Sequence, residues 1–394
     1  MRIVYIIDSL ASKGGAERII TEKMNYLATV FNDDIYVITY FQFPEKMHNT
    51  YDLSNQVKQI NLCVHSFNQY KYKYPKRLWI KWGYFHKLRH KLEETVNSIN
   101  PDVIIGVGYV FADIVCSINC KAAKVIESHE ARPFTMSASV YKEMPLLSYY
   151  FSKLYRGTYL RTIEKKADAV VTLTKEDALE WKKAKRVETI PNFSTMPISQ
   201  LSSCEKKRVI AVGRIEWQKG YDRLIDIWAI VSKKHPEWQL DIFGEGTLKT
   251  ELLHDIEKKG LKNLTIHPFS NNISKEYADS SICVLTSRFE GFSLVLLEAM
   301  RHGVPCVTFD CPYGPKALVD HEKSGFVVEN GNINHFADRL CYLMEHPDKR
   351  KQFANAAIQK AEMYNVETIM KQWKKLFESL TEKKQSQYLH IKPK

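Results

Sequence analysis

No apolar run in this 394-residue chain approaches the roughly 20 residues needed to cross a bilayer, which excludes a membrane-spanning helix. The opening segment, Met1-Arg-Ile-Val-Tyr-Ile-Ile-Asp8, is too short for the apolar part of a signal peptide, and no small-residue cleavage site follows it. It reads as a first buried strand. The eight cysteines, Cys63, Cys116, Cys120, Cys204, Cys283, Cys306, Cys311 and Cys341, form no CxxC pair and no histidine-linked zinc spacing. Several sit in apolar runs, where cysteine packs as a small hydrophobe. A reducing, cytoplasmic setting is therefore expected.

What is present is an ordinary globular composition, 44% hydrophobic and 26% charged, with length enough for two domains. The net charge of +12 is uneven. Residues 1–190 carry 28 Lys+Arg against 20 Asp+Glu, a net +8; the remainder carry 29 against 25, a net +4. A basic first half points to an anionic partner on that side.

Short apolar runs at Ile3–Ile7, Ile35–Thr39, Val57–Leu62, Val103–Val107, Lys124–Glu127 and Ala169–Thr172 alternate with helical spacing at Glu17–Leu27, Lys87–Ile99 and Ser148–Lys166. Such alternation predicts an α/β domain, a parallel sheet covered by helices on both faces. The Pro/Ser-rich stretch 191–203 breaks the pattern as a linker. A second α/β series occupies 204–365, and a last helix is expected over about 366–385. The fold class is therefore two doubly wound, Rossmann-like domains, 1–190 and 204–365. Ligands bind at the carboxyl ends of strands in such domains, so a central cleft would hold the active site if the two domains face each other.

The most informative stretch is Ser287-Arg-Phe-Glu-Gly-Phe-Ser-Leu-Val-Leu-Leu-Glu-Ala-Met300. The apolar run Ile282–Leu285 leads into a loop at Phe289-Glu-Gly291, and a helix is expected to begin near Phe292 or Ser293. Free N–H groups and the positive dipole end there suit an anion. Acids beside such a site, Glu290 and Glu298, suit a ligand that carries hydroxyls as well as phosphate: a sugar nucleotide. Upstream, Val212-Gly-Arg-Ile-Glu-Trp-Gln-Lys-Gly-Tyr-Asp222 brackets Arg214 and Lys219 between Gly213 and Gly220 on a strand-end loop. An arginine fork and a mobile lysine can share a diphosphate and steady the charge of its departure.

Glu-Gly-Phe-Ser followed by Glu-Ala-Met resembles the two-glutamate motif of the family-4 (GT4) retaining glycosyltransferases of GT-B fold. Gly213-Arg214 with Gln218-Lys219-Gly220 is similar to their phosphate loop. Lys13-Gly-Gly-Ala-Glu-Arg18 resembles their first-domain glycine turn, placing Gly14 and Gly15 along the cleft. His129, in Glu127-Ser-His-Glu-Ala-Arg132, matches their cleft histidine, although Glu130 or Arg132 could do that work. Phe243-Gly-Glu-Gly246 looks like their Gly-x-Gly turn, with Gly244 at the nucleotide's edge. Asp310-Cys-Pro-Tyr-Gly-Pro-Lys316 resembles the loop of bacterial glycan-assembly members, where many relatives have Gly-Gly.

The resemblance implies transfer of a sugar, UDP-linked hexose or N-acetylhexosamine, to a glycan or polyprenyl/lipid-linked saccharide acceptor with retention. Arg214 and Lys219 would bind the diphosphate. Amides of Gly291, Phe292, Ser293 and Leu294 would line the phosphate site; Glu290 would take sugar hydroxyls, Glu298 the ribose, and His129 the sugar or acceptor. It implies no metal and no other cofactor; no Asp-x-Asp motif stands at a strand end. It also implies that the last helix returns to the first domain. A sugar-nucleotide epimerase and a catalytically silent partner protein are the alternatives.

One feature lies outside this motif set. Phe67–Lys91 holds eight Lys/Arg, eight aromatics and no acid. Lys71, Lys73, Lys76, Arg77, Lys81, Trp79 and Trp82 suit the headgroup layer of an anionic membrane, placing the protein at the inner face of the cell membrane. A solvated helix and loop with inward-packed rings is the plainer reading. No nucleic-acid motif accompanies the patch.

Overall fold

The structure is a computed structural model, describing residues 1–64, 72, 76–108, 112–129, 131–132 and 157–391. The chain divides into two compact units: Met1–Ile190 with Ile369–Lys394, and Pro191–Thr368.

Unit 1 carries strands β1 (Arg2–Ile7), β2 (Asp34–Thr39), β3 (Lys58–Asn61), β4 (Val103–Val107), β5 (Ala123–Glu127), β6 (Ala169–Thr172) and β7 (Val187–Thr189). Their order is β3-β2-β1-β4-β5-β6-β7, all parallel, with Ile3 opposite both Ile35 and Val103. The direction of strand addition reverses between β1 and β4. Continuous apolar strands such as Ile3–Ile7, buried throughout, are what a sheet covered on both faces requires.

Helix α1 (Gly15–Thr29) follows β1 and buries Ile19, Ile20, Met24 and Leu27. Helix α2 (Lys76–Ile99) buries Tyr84, Leu88, Leu92 and Val96, a four-residue stripe on one face. It begins at Lys76 rather than Lys87, so residues 76–91 of the basic, aromatic stretch are helical. Helices α3 (Ala112–Ser117) and α4 (Lys175–Ala178), with edge strand β7, were not expected from the apolar pattern. Each is too short to develop a readable period.

Unit 2 carries β8 (Arg208–Val212), β9 (Gln239–Phe243), β10 (Leu264–His267), β11 (Ile282–Leu285), β12 (Cys306–Asp310) and β13 (Gly325–Glu329). These are ordered β10-β9-β8-β11-β12-β13 and again all parallel, so the reversal falls between β8 and β11. Helices α5 (Tyr221–Lys234), α6 (Lys249–Lys258), α7 (Ile273–Ala278), α8 (Leu294–Arg301), α9 (Pro315–Leu318), α10 (Ile333–Glu345) and α11 (Pro347–Ala361) complete it. Trp228, Phe309, Phe326, Phe336 and Phe353 sit in one buried cluster. The stretch 191–203 is not a solvated string, because Phe193 is fully buried and Asn192 and Ser194 nearly so.

The last helix, α12 (Val366–Ile391), is longer than expected and contributes its residues from Ile369 onward to unit 1. Ile369, Met370, Trp373, Leu376, Phe377 and Leu380 are buried. Truncating a fully buried tryptophan such as Trp373 to alanine costs about 3–5 kcal/mol.

Candidate active site

In unit 2 the loops that follow β8 and β11 leave the two strands flanking the reversal of strand order, where open α/β sheets bind ligands. These loops are clamped together. Gln218 Nε2 donates to the Phe289 carbonyl (3.1 Å), and Arg288 N–H donates to the Gln218 carbonyl (2.8 Å). Thr286 Oγ1 donates to the Gly220 carbonyl (3.0 Å). Arg288 forks onto Asp222 and lies over the Trp217 ring, 4.5 Å from its centre. Gly220 makes the approach possible: its φ is +64°, and a Cβ there would lie 2.3 Å from the Thr286 carbonyl oxygen.

The clamp brings two of the expected site residues together. Lys219 Nζ lies 2.7 Å from Glu290 Oε1, with side chains only 15% and 7% exposed. Ser287 Oγ donates to the same oxygen at 2.6 Å. The Glu290 charge also pushes the buried Tyr221 hydroxyl up, second to burial itself. The cation and the acid assigned to different parts of a ligand therefore hold each other.

Beside them, Ser293 caps α8 by accepting the Leu296 N–H (3.5 Å). Helix geometry leaves the Leu294 and Val295 amides without an intrahelical partner. Phe292 is buried against Tyr364, ring centres 5.7 Å apart. The 310–316 loop abuts this segment: a Cβ on Gly314 would lie 3.2 Å from Glu290 Cβ and 3.5 Å from Phe292 Cα. Glu290 N–H reaches the Pro312 carbonyl at 3.4 Å.

Gly244 serves close packing. A Cβ there would lie 1.9 Å from the Gly213 carbonyl oxygen, and Gly213 N–H donates to the Phe243 carbonyl (3.0 Å). Arg214 is exposed at the start of its loop. Glu298 is placed apart from the ion pair in its bonding: it is 4% exposed and accepts the Tyr277 hydroxyl at 3.2 Å. Its helix end is tied by His302, which meets the Glu298 carbonyl (2.7 Å) and Ser274 Oγ (2.8 Å).

In unit 1, Gly14 is the N-cap of α1, with Gly15 the first helical residue and Glu17 folded back over Gly14. His129 follows β5 with its side chain 10% exposed. Its ring Nε2 is 3.0 Å from Glu127 Oε1. The loop carrying it is anchored by Asp177, which accepts Arg132 N–H (2.8 Å) and Ser128 Oγ (3.3 Å). Arg132 itself reaches Glu164 (3.1 Å). On α2, Trp79 and Trp82 are 73% and 61% exposed, and Lys76 lies over the Tyr72 ring (4.6 Å). Lys71, Lys73 and Glu130 lie outside the described residues, as do the side chains of Arg77 and Lys81.

Sequence reading passed over Ser287, the Arg288–Asp222 clamp, Lys23 and Glu127. Lys23 carries a usable signal, a charge in the stripe Ile19, Lys23, Leu27 that α1 buries. Among the described residues no group of three or more His, Cys, Asp or Glu is placed to hold a metal ion, and no helix is long and apolar enough to cross a membrane.

Comparison with known proteins gives this geometry its context. Residues 194–360 match the family described as Glycosyl transferases group 1. An uncharacterized glycosyltransferase of Haemophilus influenzae is 28% identical over 95% of this chain and 99% of its own. The amylovoran biosynthesis glycosyltransferase AmsD of Erwinia amylovora is 35% identical over 52% of this chain and 61% of its own length. A solved structure of S. aureus TarM, a mutant in complex with fondaparinux, alpha-GlcNAc-glycerol and UDP, superposes with a TM-score of 0.75 at 18% identity. That superposition covers 95% of this chain and 99% of TarM. The fold is that of the GT-B glycosyltransferases, two Rossmann-like parallel-sheet domains. Both of these curated relatives are named as glycosyltransferases.

Proposed function

We propose that this protein is a retaining GT4 glycosyltransferase that moves a UDP-linked hexose or N-acetylhexosamine onto a glycan or lipid-linked saccharide. The observation that carries the reading is the Lys219–Glu290 pair at the capped start of α8, on the loops beside the reversal of strand order. UDP in the TarM complex, and the polysaccharide pathway in AmsD's name, support the donor and acceptor class.

In this reading Lys219 and Arg214 bind the diphosphate and stabilise it as it leaves, aided by the amides that begin α8. Before the donor arrives Lys219 is held by Glu290, whose same oxygen also accepts Ser287 Oγ. Glu290 turns from the lysine to the sugar hydroxyls, while Glu298 reaches the ribose and His129 contacts the sugar or acceptor. Two cationic side chains and the helix start supply the positive charge a divalent metal would otherwise provide. Exposed Trp79 and Trp82, with Lys76 beside them, form a peripheral contact with anionic lipid at the inner face of the membrane.

A thermal-shift screen against UDP, GDP, ADP, CMP and their sugar conjugates, with EDTA and then with magnesium, tests the donor site. A nucleotide at 100 times its dissociation constant stabilises the folded state by roughly 2.7 kcal/mol. A UDP-selective shift that magnesium leaves unchanged is expected. Absence of any nucleotide response would overturn the reading.

A further inference from the structure

Unit 1 buries a second group of charges that the transfer roles leave unused. Lys23, on α1, and Glu127, the last residue of β5, are both fully buried and hydrogen-bonded to each other. Lys23 Nζ also lies over the Trp373 ring, 4.4 Å from its centre. Tyr5, from β1, is fully buried within range of the same carboxylate. Burial pushes the Glu127 carboxyl up and the Lys23 amine down, while Lys23 and His129 together hold the carboxyl below its ordinary value.

A buried ion pair is a poor way to gain stability, since an apolar pair of the same volume usually does as well or better. Its position suggests another use. Glu127 and His129 are two residues apart where β5 ends, so their side chains leave the strand on one side. His129 Nε2 faces Glu127 Oε1 at 3.0 Å, and Glu127 Oε2 has no partner among the described residues. A ring nitrogen turned to a carboxylate carries the hydrogen, and the other nitrogen is then an acceptor.

We propose that the buried Lys23–Glu127 pair is a positioning device for His129. It holds the ring with Nε2–H toward the protein and leaves Nδ1 to accept a hydrogen bond from a hydroxyl of the transferred sugar or the acceptor. Lys23 keeps Glu127 charged and aimed; it sits on the helix that Gly14 and Gly15 open, so that turn and the histidine share one anchor. Only the identity of the hydroxyl-bearing ligand rests on the glycosyltransferase reading.

The test uses full-length protein labelled with 15N at histidine, with ring nitrogens read at a pH where His129 is neutral and the signal assigned by its loss in His129→Asn. The wild type should show Nε2 protonated; protonation at Nδ1 overturns the proposal without any variant. The double variant Lys23→Met with Glu127→Met removes both charges and the acceptor facing His129, and roughly keeps the volume. It should fold, bind UDP within about twofold of wild type, lose the Nε2–H preference, and transfer at least tenfold more slowly in kcat. A folded double variant with wild-type kcat and wild-type tautomer would reduce the pair to packing. Should that variant fail to fold, the wild-type ring pattern still decides. A protein with the expected tautomer that transfers no sugar would keep the positioning and sink the transferase reading instead.

Discussion

Lys219 shows how much one side chain can be asked to do. It is 15% exposed, within 2.7 Å of Glu290, and its backbone carbonyl accepts Thr286 Oγ1 at 3.2 Å. Removing it altogether would strand a nearly buried carboxylate, so alanine confuses stability with chemistry. Lys219→Gln keeps a donor for Glu290 while deleting the charge. The expected result is a kcat lower by about 100- to 1,000-fold, the usual loss when one preorganised stabiliser of developing negative charge is removed. Folding should shift by no more than about 1 kcal/mol. Steady-state kinetics beside a denaturation curve checks this, and unchanged kcat would take the diphosphate away from Lys219. This residue and Glu290 were legible in the sequence because a fixed spacing of glycines, cations and acids is a local signal. Their direct pairing was not, since it depends on two loops 71 residues apart meeting across adjacent strands.

Among the elements, the loop from Ser128 to Arg132 and helix α4 form the clearest pH-sensitive joint. Asp177 caps back to Thr174, with Asp177 N–H on Thr174 Oγ1 at 3.2 Å, while its own carboxylate holds Arg132 N–H and Ser128. Burial pushes this carboxyl up to about 6, against 3.8 for the free side chain, with the hydrogen bonds pulling the other way. A raised acid binds its proton more tightly in the folded state. Its contribution is therefore fully present below pH 4, and is lost as pH rises through about 6. At pH 7 the ionised form costs on the order of 2–3 kcal/mol. Asp177→Asn removes the charge, keeps Oδ1 as acceptor for the Arg132 N–H and turns an amide N–H toward Ser128 Oγ, so it should raise the melting temperature at pH 7 and flatten the change between pH 4 and 6. A variant melting lower than wild type at pH 7, with the slope intact, would show that the ionised carboxylate is stabilising. Neither α4 nor β7 could be read beforehand, as four and three residues carry no period. The helix after the two-glutamate loop could: α8 begins at Leu294, beside the start expected near Phe292 or Ser293. The start of α2 was missed because tryptophan, tyrosine and lysine at 76–86 mask a stripe that only Tyr84, Leu88, Leu92 and Val96 make plain.

Across the whole molecule the charge is distributed as unevenly as the aromatics. Residues 1–190 carry +8 of the +12, and their α2 presents two exposed tryptophans in the part of the chain that has no acid from Phe67 to Lys91. Single exposed apolar residues need no explanation, but two tryptophans three positions apart, set among cations, do. Replacing Lys71, Lys73, Lys76 and Lys81 by glutamate removes four attractions of about 1 kcal/mol each, and adds repulsion. Binding to phosphatidylglycerol-containing vesicles should vanish, while UDP binding at the donor site proposed for unit 2 persists. Trp79→Ala with Trp82→Ala should weaken vesicle binding while leaving its salt dependence in place, because it removes interfacial anchors and no charge. Wild-type binding should itself fade as salt shortens the Debye length from about 10 Å at 0.1 M toward 3 Å at 1 M. Cosedimentation separates the possibilities. If the glutamate variant binds anionic vesicles as wild type does at moderate salt, the patch is a solvated face, and the acceptor reaches this enzyme without help from the membrane.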